Sequence, residues 1–128
     1  MKVLVVGFCG SMGKRRIRCL KRLGYEEIYG YDISDSKNTV AEQIGIQCIE
    51  NINDFTDSVT FICTPPWAHV EYVQTLLKLN NDVFCEASVM PEDRRHYANL
   101  KMLADSSGKL FFPSSTIRYK DSVSFIKN

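Results

Sequence analysis

No stretch of this sequence approaches the ~20 consecutive apolar residues that a membrane-spanning helix needs. The apolar run at residues 3–6 is too short for a signal peptide and leads straight into a glycine-rich turn. A cytoplasmic location with no membrane contact is the expectation. No two cysteines stand as CxxC: the five are Cys9, Cys19, Cys48, Cys63 and Cys85, and the two histidines, His69 and His96, have no cysteine near them. That spacing speaks against zinc. Thiols that fall mostly in apolar runs are expected to be buried and unpaired in a reducing compartment. Charge of either sign is not in excess, with 16 Lys+Arg against 15 Asp+Glu and a net charge of +1. Nothing global therefore draws the chain to nucleic acid or an anionic membrane. Internal repeats and low-complexity segments are also missing. A chain of 128 residues can bury one real core but not two full domains.

What is present is an alternating rhythm. Val3-Leu4-Val5-Val6 is a continuous aliphatic run, the pattern of a strand buried on both faces of a parallel sheet. A glycine-rich turn and a helix over 12–23 follow, with Gly13, Ile17, Leu20 and Leu23 along one side and Gly24 as the stop. Residues 28–31 read as a second strand ending at Asp32, and a short helix capped by Asp35 or Ser36 carries Val40, Ala41 and Ile44 up to Gly45. A third strand over 46–49, a polar loop over 51–57 and a fourth strand over 59–63 come next. Thr64-Pro65-Pro66 starts a helix bearing Val70, Val73, Leu76 and Leu77, proline being tolerated in a first turn. A fifth strand covers 82–85. Pro91, Glu92 and Asp93 then open a helix lined by Tyr97, Leu100, Leu103 and Ala104, which stops at Ser107-Gly108. A sixth strand covers 110–112 and a last helix 116–127. Strand–helix alternation of this kind predicts an α/β fold with a doubly wound parallel sheet, its six strands in the order 3-2-1-4-5-6. The expected organisation is a single domain over 1–128, with its core over about 1–113 and a C-terminal helix over about 114–128.

The turn after the first strand reads Gly7-Phe8-Cys9-Gly10-Ser11-Met12-Gly13, a GxxGxxG pattern one residue longer than GxGxxG. Between a buried strand and a helix, Gly7 permits a tight exit, Gly10 lets backbone approach a pyrophosphate, and Gly13 lets the helix pack close to the sheet. The helix N-terminus offers free amides and a positive dipole end to an anion. Lys14, Arg15 and Arg16 occupy the first turn, where each cation is unfavourable by roughly 0.3–1 kcal/mol. A bound anion would offset that; a solvated basic face continued by Arg18, Lys21 and Arg22 is the other reading. Asp32 lies 19 residues after Gly13, at the end of the second strand. A carboxylate there accepts hydrogen bonds from adenosine ribose hydroxyls and repels a 2′-phosphate, which favours NAD over NADP.

Taken together, these residues resemble the glucose–fructose oxidoreductase / inositol dehydrogenase (Gfo/Idh/MocA) family of NAD(P)-dependent sugar and polyol oxidoreductases, in its N-terminal Rossmann domain. The segments VLVVGFCGSMGKRRIRCL, YGYD, FICTPPWAHVEY and DVFCEAS carry the likeness. The resemblance implies a cofactor site built from Gly7, Cys9, Gly10, Ser11, Met12, Gly13 and Asp32, with Thr64, Pro65 and Pro66 bordering the dinucleotide. It further implies that Met12 packs near the nicotinamide, that Trp67 flanks the cofactor's ribose or rings, that His69 positions the loop before it, and that Glu86 is retained beside the site.

The sequence also departs from that family. Its members typically end the fifth strand with Glu-Lys-Pro, the lysine orienting substrate and tuning proton transfer. Here the residues are Glu86-Ala87-Ser88. Ala87 has no proton to move, and a serine hydroxyl is a poor acid or base near neutral pH without an activating partner. Family members also continue into a mixed α/β substrate domain. The expectation is therefore an NAD(H)-binding domain of an oxidoreductase acting on a sugar or polyol by hydride transfer, without a catalytic residue of its own and not competent alone, its substrate portion lying elsewhere or on a partner chain. A stand-alone NAD-binding sensor and a Rossmann scaffold that binds no ligand are the alternatives. The longer glycine loop and Ala87 keep the scaffold reading open. The apolar residues Phe111, Phe112, Ile117, Tyr119, Phe125 and Ile126 predict a homodimer or larger assembly.

Overall fold

A computed structural model of the chain describes residues 1–65, 68–85 and 94–113. In chain order its elements are β1 (Lys2–Val6), α1 (Ser11–Arg22), β2 (Glu27–Tyr31), α2 (Lys37–Ile44), β3 (Gln47–Cys48), a 3-10 turn (Ile52–Asp54), β4 (Val59–Ile62), α3 (His69–Lys78), β5 (Asp82–Cys85), α4 (Arg94–Ser107) and β6 (Phe111–Pro113). All strand pairs are parallel, and the sheet order is β3-β2-β1-β4-β5-β6. This is the doubly wound α/β arrangement that the sequence rhythm predicts.

The period of two in β1 divides the core. Val3 and Val5 face one layer with Phe8, Ile17, Leu20, Ile28 and Ala41, beneath α1 and α2. Leu4 and Val6 face the other with Ile62, Val73, Leu76, Leu77 and Leu100, beneath α3 and α4. A strand without a polar face is thus a strand covered on both sides. The register also sets the site. Val6 pairs with Tyr31 on one flank and Ile62 on the other, so the carboxyl ends of β2, β1 and β4 lie side by side. The strand order reverses between β1 and β4, and the crevice at such a reversal is where open α/β sheets bind ligands.

Asn81, which pattern reasoning passes over, is fully buried. Its carbonyl accepts from Ser58 N at 3.0 Å, and its amide donates to Phe55 O at 2.9 Å and Leu76 O at 3.1 Å. One side chain thereby satisfies three backbone groups between the 3-10 turn, β4 and α3.

Several local expectations need correction. α3 begins at His69, not at the Thr64-Pro65 step; Pro65 instead opens a turn in which Ala68 N donates to its carbonyl at 3.1 Å. Ser36 stands at the N-cap position of α2 but makes no side-chain capping bond; its Oγ lies 2.9 Å from Ser34 Oγ instead. The polar loop contains the 3-10 turn, organised by Asn51 Oδ1 accepting from Asn53 N at 2.9 Å. Of the five free cysteines only Cys85 is buried, while Cys19 is exposed on α1. Arg16 is not part of a solvated basic face: its guanidinium lies 5.2 Å from the ring centroids of both Phe61 and Phe84. The opening of the fourth helix at Pro91, Glu92 and Asp93 and the final helix over 116–127 lie outside the described residues.

Candidate functional site

The glycine loop leaves β1 at Gly7, whose φ of +82° is left-handed and whose N–H donates to Tyr31 O at 2.8 Å. A Cβ there would stand 2.9 Å from Thr64 Cγ2 and 3.0 Å from the Cys63 carbonyl. At Gly13 it would stand 2.4 Å from Gly7 O and 2.5 Å from Phe8 Cα, so α1 crosses the loop backbone to backbone. The protein's own packing explains both glycines. Gly10 differs: its φ is −78°, and a Cβ would meet only Gly7 O at 3.7 Å, ordinary contact. Nothing among the described residues requires glycine at this position, yet it lines the cleft. Gly10 is also the N-cap of α1 and makes no side-chain cap, and the first helical turn contains no acidic residue. The first amides of the helix therefore lack the usual local acceptors.

The extra loop residue is accommodated in two ways. Phe8 is fully buried, its ring filling a notch at Gly30, where a Cβ would come within 2.5 Å of Phe8 Cδ1. Cys9 then donates its N–H to Asp32 Oδ2 at 2.9 Å, while Ser34 N donates to Oδ1 at 2.9 Å. Two backbone donors, one on each oxygen, fix the plane of the Asp32 carboxylate and leave further lone pairs for a ligand. Lys37, the nearest candidate for a cation beside Asp32, pairs instead with Glu50 at 2.9 Å.

On the other side of the crevice His69 is buried at the start of α3, with Nε2 2.6 Å from Thr64 O. A carbonyl only accepts, so Nε2 carries the proton and donates it. This bond ties the start of α3 to the residue after Cys63. Thr64 turns its methyl group toward Gly7, and its buried Oγ1 has no hydrogen-bond partner among the described residues.

These pieces enclose a cleft of about 290 Å³. Gly7, Gly10, Asp32, Thr64 and Pro65 line it. Cys9, Gly13 and His69 are not among the residues that line it. Ser11 and Met12 are exposed on the first turn of α1. Pro66, Trp67 and Glu86 lie outside the described residues. Sequence reasoning missed Tyr31, Ile33, Ala68 and Tyr72, which also line the cleft. A signal existed for two of them: Tyr31 and Ile33 flank Asp32. Burial pushes the Cys63 thiol up to about 11 and Cys85 up to about 12. Burial, followed by the Asp32 charge, pushes Cys9 up to about 11. These thiols stay protonated near neutral pH and are not nucleophiles. No group of three metal-ligating side chains occurs among the described residues.

A glycine-loop crevice at the switch point of a doubly wound sheet, with an aspartate closing its second strand, defines a dinucleotide-binding protein. The chain belongs to the Gfo/Idh/MocA family: the family described as "Oxidoreductase family, NAD-binding Rossmann fold" matches residues 1–114. Among solved structures, an NAD-binding protein from Listeria innocua has a TM-score of 0.74 at 19% identity, over 88% of this chain and 34% of that one. An apo scyllo-inositol dehydrogenase from Lactobacillus casei has a TM-score of 0.74 at 18% identity, over 99% of this chain and 40% of that one. A biliverdin reductase from Synechocystis, solved with biliverdin and NADP+, has a TM-score of 0.74 at 20% identity, over 88% of this chain and 37% of that one. At such identities the likeness speaks for the fold, and the chain spans between a third and two fifths of these relatives. No curated protein matches the chain.

Proposed function

We propose that this chain binds NAD(H) in the cleft between the glycine loop and the segment after β4, as the cofactor domain of an oxidoreductase acting on a sugar or polyol. The observation that carries the reading is Gly10: it lines the cleft with Asp32, and unlike Gly7 and Gly13 it is not required by packing against the described residues. A pyrophosphate would take the space above Gly10 and the free amides of α1. Thr64 Oγ1, buried and without a partner among the described residues, is a second polar group open to a ligand. The cofactor supplies hydride chemistry when bound; the chain's part is to bind and orient it. Asp32 accepts from the ribose hydroxyls and repels a 2′-phosphate, and Lys37 is committed to Glu50, so NAD is preferred to NADP. Substrate orientation and proton transfer fall to groups other than these, since Ala87 stands where the family typically has lysine. Leu110 and Phe112, each 59% exposed at the β6 edge, support a homodimer through the apolar C-terminal region.

Calorimetric titration with NADH and NADPH tests this reading. Saturable NADH binding, tighter than NADPH by about tenfold or more and lost on Asp32→Arg, is the expected result. No NADH binding at millimolar cofactor would overturn it and leave a ligand-free scaffold.

A further inference from the structure

Tyr72 sits on α3 one turn beyond His69 and forms part of the cleft wall with Tyr31, Asp32, Ile33 and Ala68. Its ring meets that of Tyr31 edge-on, with centroids 6.2 Å apart and planes at 71°. It also packs against the core layer beneath α3. These contacts account for the ring and would serve a phenylalanine equally well. They do not account for the hydroxyl, which has no hydrogen-bond partner among the described residues. It is not among the buried atoms left without a partner, so in the open cleft water satisfies it until a ligand takes that place. Burial raises the phenol above its ordinary pKa, and the nearby Tyr31, Glu71 and Asp32 raise it further. It is therefore a neutral O–H donor at physiological pH, lying within the field of the Asp32 carboxylate.

We propose that the Tyr72 hydroxyl is a second specificity group of the cleft, hydrogen-bonding the adenosine ribose of the bound dinucleotide from α3 while Asp32 does so from β2. The inference rests on the cofactor reading above. Its chemistry is complementary: an ionised carboxylate only accepts, so a ribose hydroxyl must donate to Asp32. The oxygen of that hydroxyl then has lone pairs free, and a phenol O–H is the donor they require. A chain running from Tyr72 through the ribose hydroxyl to Asp32 aligns its dipoles, and each bond polarises the next. Tyr72 makes no step of the reaction and acts on affinity alone.

The test uses the intact chain, the conservative Tyr72→Phe variant, and ADP-ribose beside NADH. ADP-ribose keeps the adenosine half and lacks the nicotinamide. Losing one neutral hydrogen bond should weaken both ligands alike, by about threefold to tenfold, with the urea midpoint unchanged. With the 2′-deoxy and 3′-deoxy forms of ADP-ribose the loss should vanish for the form that lacks the partner hydroxyl, the signature of a direct coupling. Equal binding by wild type and variant, a loss with NADH but not ADP-ribose, or the same loss with both deoxy forms would overturn the proposal. Failure of the wild type to bind NADH or ADP-ribose would instead sink the cofactor reading.

Discussion

The two sides of the crevice are built to different standards. At the ends of β1 and β2 every part is anchored: Phe8 fills the notch at Gly30, Gly7 bonds to Tyr31 O, and Asp32 is held on both oxygens by Cys9 and Ser34. At the end of β4 His69 bonds to one carbonyl, and among the described residues Thr64 Oγ1 has no partner. In the sequence, the second residue after Cys85 is Ala87, which has no group to move a proton. On the proposed reading this anchored half would receive the adenosine and pyrophosphate, which stay the same in every turnover. The other half has fewer such bonds among the described residues.

The largest effect is expected where the anchored side can be dislodged. Gly30→Val would drive its side chain into the Phe8 ring, which already lies within 2.5 Å of a Cβ placed there. Overpacking of this kind costs about 3 kcal/mol, and Phe8 cannot leave without carrying the glycine loop with it. Urea unfolding should show that loss, and NADH binding should fall with it. A variant of normal stability would mean that the loop does not depend on the notch.

Gly10→Val separates site from scaffold on the same side. The nearest atom is 3.7 Å away, so stability should fall by only about 1 kcal/mol, the cost of a poor N-cap residue. NADH affinity should drop by about a hundredfold, because the side chain occupies the pyrophosphate space. Gly13→Ala should do the reverse and destabilise strongly, its Cβ falling 2.4 Å from Gly7 O. Equal behaviour of the two variants in unfolding and in titration would erase the distinction between a ligand glycine and a packing glycine.

Much of this was legible in the sequence, and the parts that were not share a cause. The all-aliphatic β1 implied burial on both faces, and the strand–helix rhythm implied the 3-2-1-4-5-6 order; both are consequences of local pattern. Asp32 was legible because strand-end spacing is itself local. Phe8 was not, since a phenylalanine in a glycine loop is buried only if the neighbouring strand offers a gap, and Gly30 shows its purpose only in register. Asn81 looked like a turn residue because its three backbone partners come from separate segments. Thr64-Pro65 suggested a helix start, yet α3 begins only at His69, whose ring bonds back to Thr64 O. Tyr72 carried no signal, because a tyrosine on an amphipathic helix reads as core.

The smallest effect should come from the loosely held side. His69→Phe keeps a buried ring of similar size and removes the one donor that Thr64 O receives from the side chain, leaving a part-buried carbonyl short of a partner. That costs about 1–2 kcal/mol, read in urea. NADH should weaken by less than about tenfold, since the change reaches the cofactor only through the set of the Thr64-Pro65 backbone. His69→Gln, which can still present an N–H to that carbonyl, should recover part of both. If His69→Phe abolished binding outright while Gln restored none of it, His69 would have to touch the cofactor itself. The contrast between an anchored side and an adjustable one would then fail at the residue that defines the adjustable side.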